Sequence, residues 1–456
     1  MERSIPVWFF LLCLIFGALF TMVFGWSVLS TSAGNDRSGM FGRAAVEFSK
    51  FPTTTKDAIL EVLGYASGDY KDAAIRVRRE ENDDYSVFVP VPAAAGIDVP
   101  GLLMRTDRTK MTPGWRMLGG AFHINDSVEN AVVLISPDLQ VVRKWVVDEV
   151  PVGEFEPRPK FRKFVHGTEL LRDGSLVFTF DGSVSLQRFD ACGGRVWAIP
   201  GRYHHAVTAD DTGTTVWTFV GNDKISQVKV SDGSVLREIS TDDIIRANPM
   251  IDILEIRRDH LNDLGENTKF SPGKWMADPF HFNDVDPLPT DIADRFDRFE
   301  AGDLLVSARS LNLVFVLDPD TFEIKWWRSG AVQRQHDPDW LPNGNIMVFN
   351  NRMSRDFSEI VQIDPSSMER QVVVDGRELD FYSRIRGKQQ SLPDGSLVVT
   401  SSQQGRAFEI DPDGQVVFEM VNTKPGSEDT NYVVSELKWL PLDYFDGTLP
   451  DCAGAN

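Results

Sequence analysis

Residues 340–351 read WLPNGNIMVFNN, and residues 359–374 read EIVQIDPSSMERQVVV. An apolar run is broken at Asn343-Gly344, resumes, is broken again at Asp364-Pro365, and ends in a valine-rich segment. Asn-Gly and Asp-Pro reverse the chain tightly, so the stretch predicts four short antiparallel strands. The same unit recurs as LLRDGSLVFTF (170–180) with VSLQRFDACGGRVWAI (184–199), and as SLPDGSLVVTSS (391–402) with RAFEIDPDGQVVFEMV (406–421).

Its second turn occurs six times, starting at Ile135, Phe189, Val230, Leu317, Ile363 and Ile410. Four-stranded propeller blades repeat about every 40–50 residues. Most of the intervals have that length, and the long one, between Val230 and Leu317, carries a polar, helix-like insertion around Ile244 to Pro279. The fold class expected is all-β, a six-bladed β-propeller over residues 111–441, preferred to an open solenoid or two sandwiches. The segment VVSELKWL (433–440) is a candidate closing strand that completes a blade begun at the other end of the chain. Trp197, Trp217, Trp326 and Trp327 read as outer-strand packing rather than docking motifs.

Seven histidines are present, and three stand in register. His166, His205 and His336 each lie eight residues before a turn glycine, at Gly174, Gly213 and Gly344. The strand before that turn is the innermost of a blade, so all three should face the channel mouth. His281 opens the corresponding strand of a further unit, with Asn283 two residues on and on the same side if this is strand. Arg309 ends the next strand, and its fork of N–H donors suits a tetrahedral oxyanion while repelling a metal. A histidine ring of this kind could ligate a metal, or one member could be a nucleophile while the others hold an oxyanion.

The remaining chain sets the setting. The net charge of −20 argues against nucleic acid, which needs a basic surface. Ile5 to Leu29 is almost wholly apolar, longer than the ~20 residues that span hydrocarbon, and Thr31-Ser32-Ala33 is a weak cleavage site. An uncleaved anchor over residues 1–30 is expected, followed by a stalk and lead-in over 31–110 with helical periodicity from Gly39 to Gly64. A tail over 442–456 follows the propeller. Cys13 lies in the apolar run; Cys192 and Cys452 lack zinc spacing and could pair if the C-terminus returns to the second repeat.

Three segments carry a resemblance: FHFNDVDPLP (280–289), GDLLVSARSLNLVFVLDPDTFEIKWW (302–327) and QHDPDWLPNGNIMVFNN (335–351). With their ordered His-x-Asn, Ser-x-Arg and Gln-His-Asp sets, the chain resembles the bacterial arylsulfotransferase (arylsulfate sulfotransferase) family. The match is close from His281 to Asn351 and looser from His166 to Val421. The resemblance implies ping-pong transfer of a sulfuryl group from an aryl sulfate to a phenol, with no nucleotide donor and no cofactor. It further implies that His336 forms a sulfohistidine and that His281, Asn283 and Arg309 bind the sulfuryl oxygens. The family's remaining histidine would be His205 or its neighbour His204, and the blade register selects His205; His166 would contact substrate.

The partners so implied are small aryl sulfates and phenols and the membrane, with a second copy of the chain as a further candidate. The propeller is then expected on the periplasmic or extracytoplasmic side of an inner membrane. Two other classes compete: a propeller enzyme with a histidine-ligated metal, oxygenase-like, and a noncatalytic binding module.

Overall fold

Turn chemistry and alternating burial build the molecule. In the computed structural model, residues 6–32, 39–46, 48–49, 74–76, 87–149, 164–181, 183–255, 278–427 and 430–452 are described. The turn glycines Gly174, Gly213, Gly344 and Gly395 all have positive φ, from 63 to 87°, a conformation glycine adopts without strain. Each turn joins the first strand of a blade to the second.

Six sheets follow. Named from the channel outward, blade 2 is Val165–Leu170, Leu176–Phe180, Ser185–Phe189 and Arg195–Pro200, and blade 3 is Tyr203–Ala209, Thr215–Val220, Lys224–Lys229 and Val235–Ser240. Blade 4 is Phe282–Pro287, Leu304–Ala308, Leu313–Leu317 and Ile324–Ser329; blade 5 is His336–Trp340, Ile346–Asn350, Glu359–Ile363 and Arg370–Asp375. Blade 6 begins Lys388–Ser391, Leu397–Ser401, Arg406–Ile410 and Val416–Asn422.

Blade 1 is built from both ends of the propeller. Val434–Leu440 is its innermost strand, antiparallel to Trp115–Ile124, with Ser127–Ile135 and Val141–Val146 outside. The expected closing strand is therefore in place, and the fold is a six-bladed propeller. A second tie lies at the rim of blade 6, where Leu102–Thr106 pairs with Val416–Asn422 and Val89–Pro90 pairs beyond it. The sheets thus begin before residue 111, inside the segment read as lead-in.

The cores lie between neighbouring blades. One joins Leu118, Phe122 and Val133 of blade 1 to Val398, Phe418 and Met420 of blade 6. Another joins Trp145 of blade 1 to Phe178 and Phe189 of blade 2. Indole donors bind these seams: Trp145 to the Asp190 carbonyl, and Trp197 to that of Val230, each the second turn of the next blade. Trp326 reaches Met368 in the same way, and Arg237 takes the role in blade 3, on Asp320. Trp217 corrects the reading of it as an outer-strand residue: it sits buried in the second strand of blade 3, under Arg237. Its place in the alternation, not its residue type, decides its strand.

The tail returns to blade 2. Tyr444 donates to the Leu170 carbonyl, and a Cys192–Cys452 disulfide fastens the end. Of the insertion, Thr241–Ala247 is a helix with a Ser240–Asp243 capping box, and 256–277 lie outside the described residues.

A separate unit holds an apolar helix, Val7–Ser32, long and apolar enough to cross a membrane. Residues 39–46 are also helical; most of the expected stalk periodicity, from 50 to 64, lies outside the described residues.

Candidate functional site

The channel mouth is shaped by irregular pairing. Five innermost strands slip register at their channel-mouth end, at Val165/Gly167, His204/Val207, Phe282/Asp284, His336/Pro338 and Val434/Glu436. Such bulges re-aim the side chains they carry. His205 and His281 also have positive φ, 62 and 48°, as do Asp337 and Arg386. Non-glycine residues hold that conformation at a cost of about 1–3 kcal/mol, and such strain gathers at functional sites.

Three rings meet as a result. His205 lies 4.7 Å from His166 and 5.0 Å from His281, centroid to centroid. His204 is the neighbour behind: its Nε2 faces the Gly221 carbonyl, and its Nδ1 lies 2.6 Å from His205 Nδ1. A carbonyl only accepts, so His204 Nε2 carries the hydrogen. In neutral rings His204 Nδ1 then accepts from His205 Nδ1–H, and His205 Nε2 is left with its lone pair. His205 is the ring of the two that meets both His166 and His281, with His204 beside it.

His336 is buried, with Nδ1 2.7 Å from Asn351 Oδ1 and Nε2 3.2 Å from the Arg386 backbone N–H. Asn283 is also buried, and one of its two amide N–H groups donates to the carbonyl of Gln335, the residue before His336, at 2.8 Å. Arg309 follows the second strand of blade 4, its backbone N–H donating to the His281 carbonyl.

Burial and cations keep His166, His205 and His336 uncharged. Desolvation, then Arg386, pushes His166 down to about 3, although Asp181 opposes. Desolvation, with the neighbouring rings and Arg309, holds His205 well below its usual range. For His336 desolvation again leads, followed by the Arg309 charge. The chamber therefore combines neutral nitrogen nucleophiles with fixed cations, a setting that favours an anionic ligand.

Arg386 and Asn351 were not singled out from sequence. Arg386 is buried, stacked 4.3 Å over Phe164, with one Nη 3.4 Å from Asp181. Its other terminal nitrogen is buried without a hydrogen-bond partner. A signal did exist for Asn351: Asp181, Gly221, Arg309, Asn351 and Ser402 each come one residue after the second strand of their blade. That position returns the chain to the channel mouth.

Further along the same innermost strands lies a cavity of about 510 Å3, lined by Asp284, Asp286, Asp337, Asp339, Lys388 and Glu436, among others. Lys388 Nζ is 2.6 Å from Asp337 and 3.2 Å from Asp284. Burial pushes Asp337 up to about 7, and Asp286 and Asp339 well above the carboxylate range. Among the described residues, no group of three or more His, Cys, Asp or Glu is disposed to hold a metal ion.

Residues 167–423 match the sequence model of a family described as arylsulfotransferase (ASST). No protein of curated function matches the chain. Similar solved structures include a protein of unknown function from Bacteroides caccae, 15% identical over 70% of this chain and 97% of that one, with a TM-score of 0.45. A streptogramin B lyase is 11% identical, covering 71% of this chain and 88% of its own, at a TM-score of 0.41. The Cps50 (Swd1) β-propeller domain of Myceliophteria thermophila is 10% identical over 68% and 84%, at 0.39.

Proposed function

Because the chain belongs to the arylsulfotransferase family, we propose that it moves a sulfuryl group from a phenolic sulfate ester to a phenolic acceptor through a sulfohistidine at His336. The observation that carries this reading is the buried imidazole of His336, fixed between Asn351 Oδ1 and the Arg386 backbone N–H and kept neutral by burial and the Arg309 charge. Neutrality leaves a lone pair for attack on sulfur, and the guanidinium neutralises the sulfuryl oxygens as charge shifts in the transition state.

In the first half-reaction a His336 nitrogen forms a bond to sulfur while the sulfur–oxygen ester bond breaks. The electron pair leaves on the phenolate oxygen, which takes up a proton from water. In the second, the acceptor loses its phenolic proton and its oxygen attacks sulfur, returning the nitrogen's pair. We assign His205 to receive that proton, since with Nδ1–H given to His204 its Nε2 is the unprotonated ring nitrogen. His281 and Arg309 flank the sulfuryl group, and His166 and His204 complete the wall. Asn283 holds the Gln335 backbone with one amide N–H and is assigned to a sulfuryl oxygen with the other. The reaction needs no nucleotide donor.

The apolar helix serves as a single membrane anchor, and the propeller lies on the extracytoplasmic side. The Cys192–Cys452 bond supports that side, since disulfides persist in oxidising compartments.

The test is mass spectrometry after brief exposure to 4-nitrophenyl sulfate at alkaline pH, where nitrogen–sulfur bonds to histidine survive. A sulfuryl adduct should map to the peptide containing His336 and be absent from His336→Ala. If several aryl sulfates gave neither adduct nor released phenol, the reading would fail.

A further inference from the structure

We infer that Asn351 is the positioning residue that holds His336 in its Nδ1–H form, so that Nε2 is the nitrogen that takes the sulfuryl group. The inference rests on the sulfuryl-transfer reading above.

An amide side chain can usually turn over and offer either end to a neighbour. Asn351 cannot. It is fully buried, and its NH2 group is committed to two backbone carbonyls, those of Ser383 (2.8 Å) and Arg386. Turning the amide would set its oxygen against both carbonyl oxygens. Oδ1 is therefore fixed toward His336 Nδ1, 2.7 Å away, and an oxygen there requires a hydrogen on Nδ1. The other ring nitrogen agrees, since Nε2 faces the Arg386 backbone N–H at 3.2 Å and must be an acceptor. Two independent partners thus select one tautomer.

That tautomer fits the transfer step. Nε2 donates its lone pair to sulfur, the nitrogen–sulfur bond forms, and the ester oxygen departs with the electron pair of the broken bond. The proton on Nδ1 stays where it is, so the ring becomes cationic as the bond forms. The Asn351 oxygen faces that growing charge throughout. On transfer to the acceptor the pair returns to Nε2 and the original ring is restored. The Arg386 N–H, released from Nε2 by the new bond, lies beside the incoming sulfuryl oxygens.

The Ser383–Arg386 loop is held by the same amide, which explains why an asparagine serves here better than an acid. An aspartate would keep the acceptor but lose both donors to the loop.

The experiment uses the full chain in detergent, labelled with 15N-histidine. With seven histidines, the His336 signals can be assigned by their loss in His336→Gln. The expected wild-type spectrum has a protonated Nδ1 and an unprotonated Nε2. In Asn351→Leu the ring should shift toward the Nε2–H form, and adduct formation from 4-nitrophenyl sulfate should slow by about 10²–10⁴-fold. That is the range seen when a tautomer-setting partner of a functional histidine is lost. Asn351→Asp, which retains an acceptor for Nδ1–H but sets a second oxygen against the Ser383 and Arg386 carbonyls, should keep the Nδ1–H form in the 15N spectrum, whatever its rate.

A protonated Nε2 in the wild-type protein would overturn the assignment. So would a slow Asn351→Leu protein whose His336 tautomer is unchanged, because Asn351 would then be structural only. A wild-type protein with the expected tautomer but no adduct would sink the sulfuryl-transfer reading, and with it the catalytic part of this one, while leaving the tautomer assignment standing.

Discussion

A histidine that refuses a proton is the chemical premise of this site, and it has a measurable signature. An ordinary imidazole, with a pKa near 6.5, loses about nine-tenths of its neutral form between pH 7.5 and 5.5. His336 is held well below that range by burial and by Arg309, so it stays unprotonated across the interval. The sign follows: acid should not remove the nucleophile. The initial rate of adduct formation from 4-nitrophenyl sulfate should therefore change less than about threefold between these values. A tenfold fall with a midpoint near 6.5 would show that the ring is solvated and ordinary. The histidines were legible in the sequence because a periodic fold converts equal spacing from a turn glycine into equal height on the channel wall. Arg386 was not, because it precedes the innermost strand of blade 6 in a loop, where no strand periodicity fixes its height. Asn351 was hidden for another reason: its role depends on which end of an amide faces inward, and only the carbonyls of Ser383 and Arg386 decide that.

Between elements, the seams decide stability, and the seam of blades 1 and 6 contains a charge. Arg116 and Glu409 are both buried, 2.6 Å apart, with the guanidinium 4.6 Å over the Phe418 ring. Glu409 also accepts from the Thr112 backbone N–H at 2.6 Å. Removing one partner of such a pair strands a buried charge and costs about 3–5 kcal/mol. Glu409→Leu should lower unfolding stability by that amount in a urea titration, whereas the double change with Arg116→Met should recover much of it. Equal losses in the single and double variants would mean that the charge itself is not what the seam depends on. The strands with Asn-Gly and Asp-Gly turns were plain in the sequence, since those dipeptides mark reversals locally. Leu102–Thr106 and Val89–Pro90 were not, because they are short and Val416–Asn422, the strand on which Leu102–Thr106 docks and so carries Val89–Pro90, lies more than 300 residues away.

At the scale of the molecule, the question is how the ring of blades is kept shut. Three fastenings lie near the chain's ends: Val434–Leu440 on Trp115–Ile124, Leu102–Thr106 on Val416–Asn422, and Cys192–Cys452. The disulfide spans 260 residues of sequence, so in the unfolded chain it would close a very long loop. Loops of that size lose much entropy when cross-linked, and native disulfides contribute about 2–4 kcal/mol. Replacing both cysteines by serine should lower the melting temperature while leaving the adduct at His336 intact, since neither cysteine approaches the histidines. An unchanged melting temperature would show that strand pairing alone keeps the ring shut. The pairing of the cysteines could not be read from two positions, because it depends on where the tail travels; Tyr444 on Leu170 and Asp446 on Arg172 steer it there.

The place of Val434–Leu440 at the inner edge of blade 1 also has a consequence in time. Translation proceeds at about 5–20 residues per second, so the innermost strand of the first blade emerges on the order of tens of seconds after its three neighbours. Throughout that interval Trp115–Ile124 offers an unpaired edge, the kind of surface that recruits other strands. A nascent chain of this protein must be shielded by a chaperone or kept unfolded until its last strand arrives. A chain cut short before residue 434 would carry every candidate catalytic residue and no closed channel to hold them.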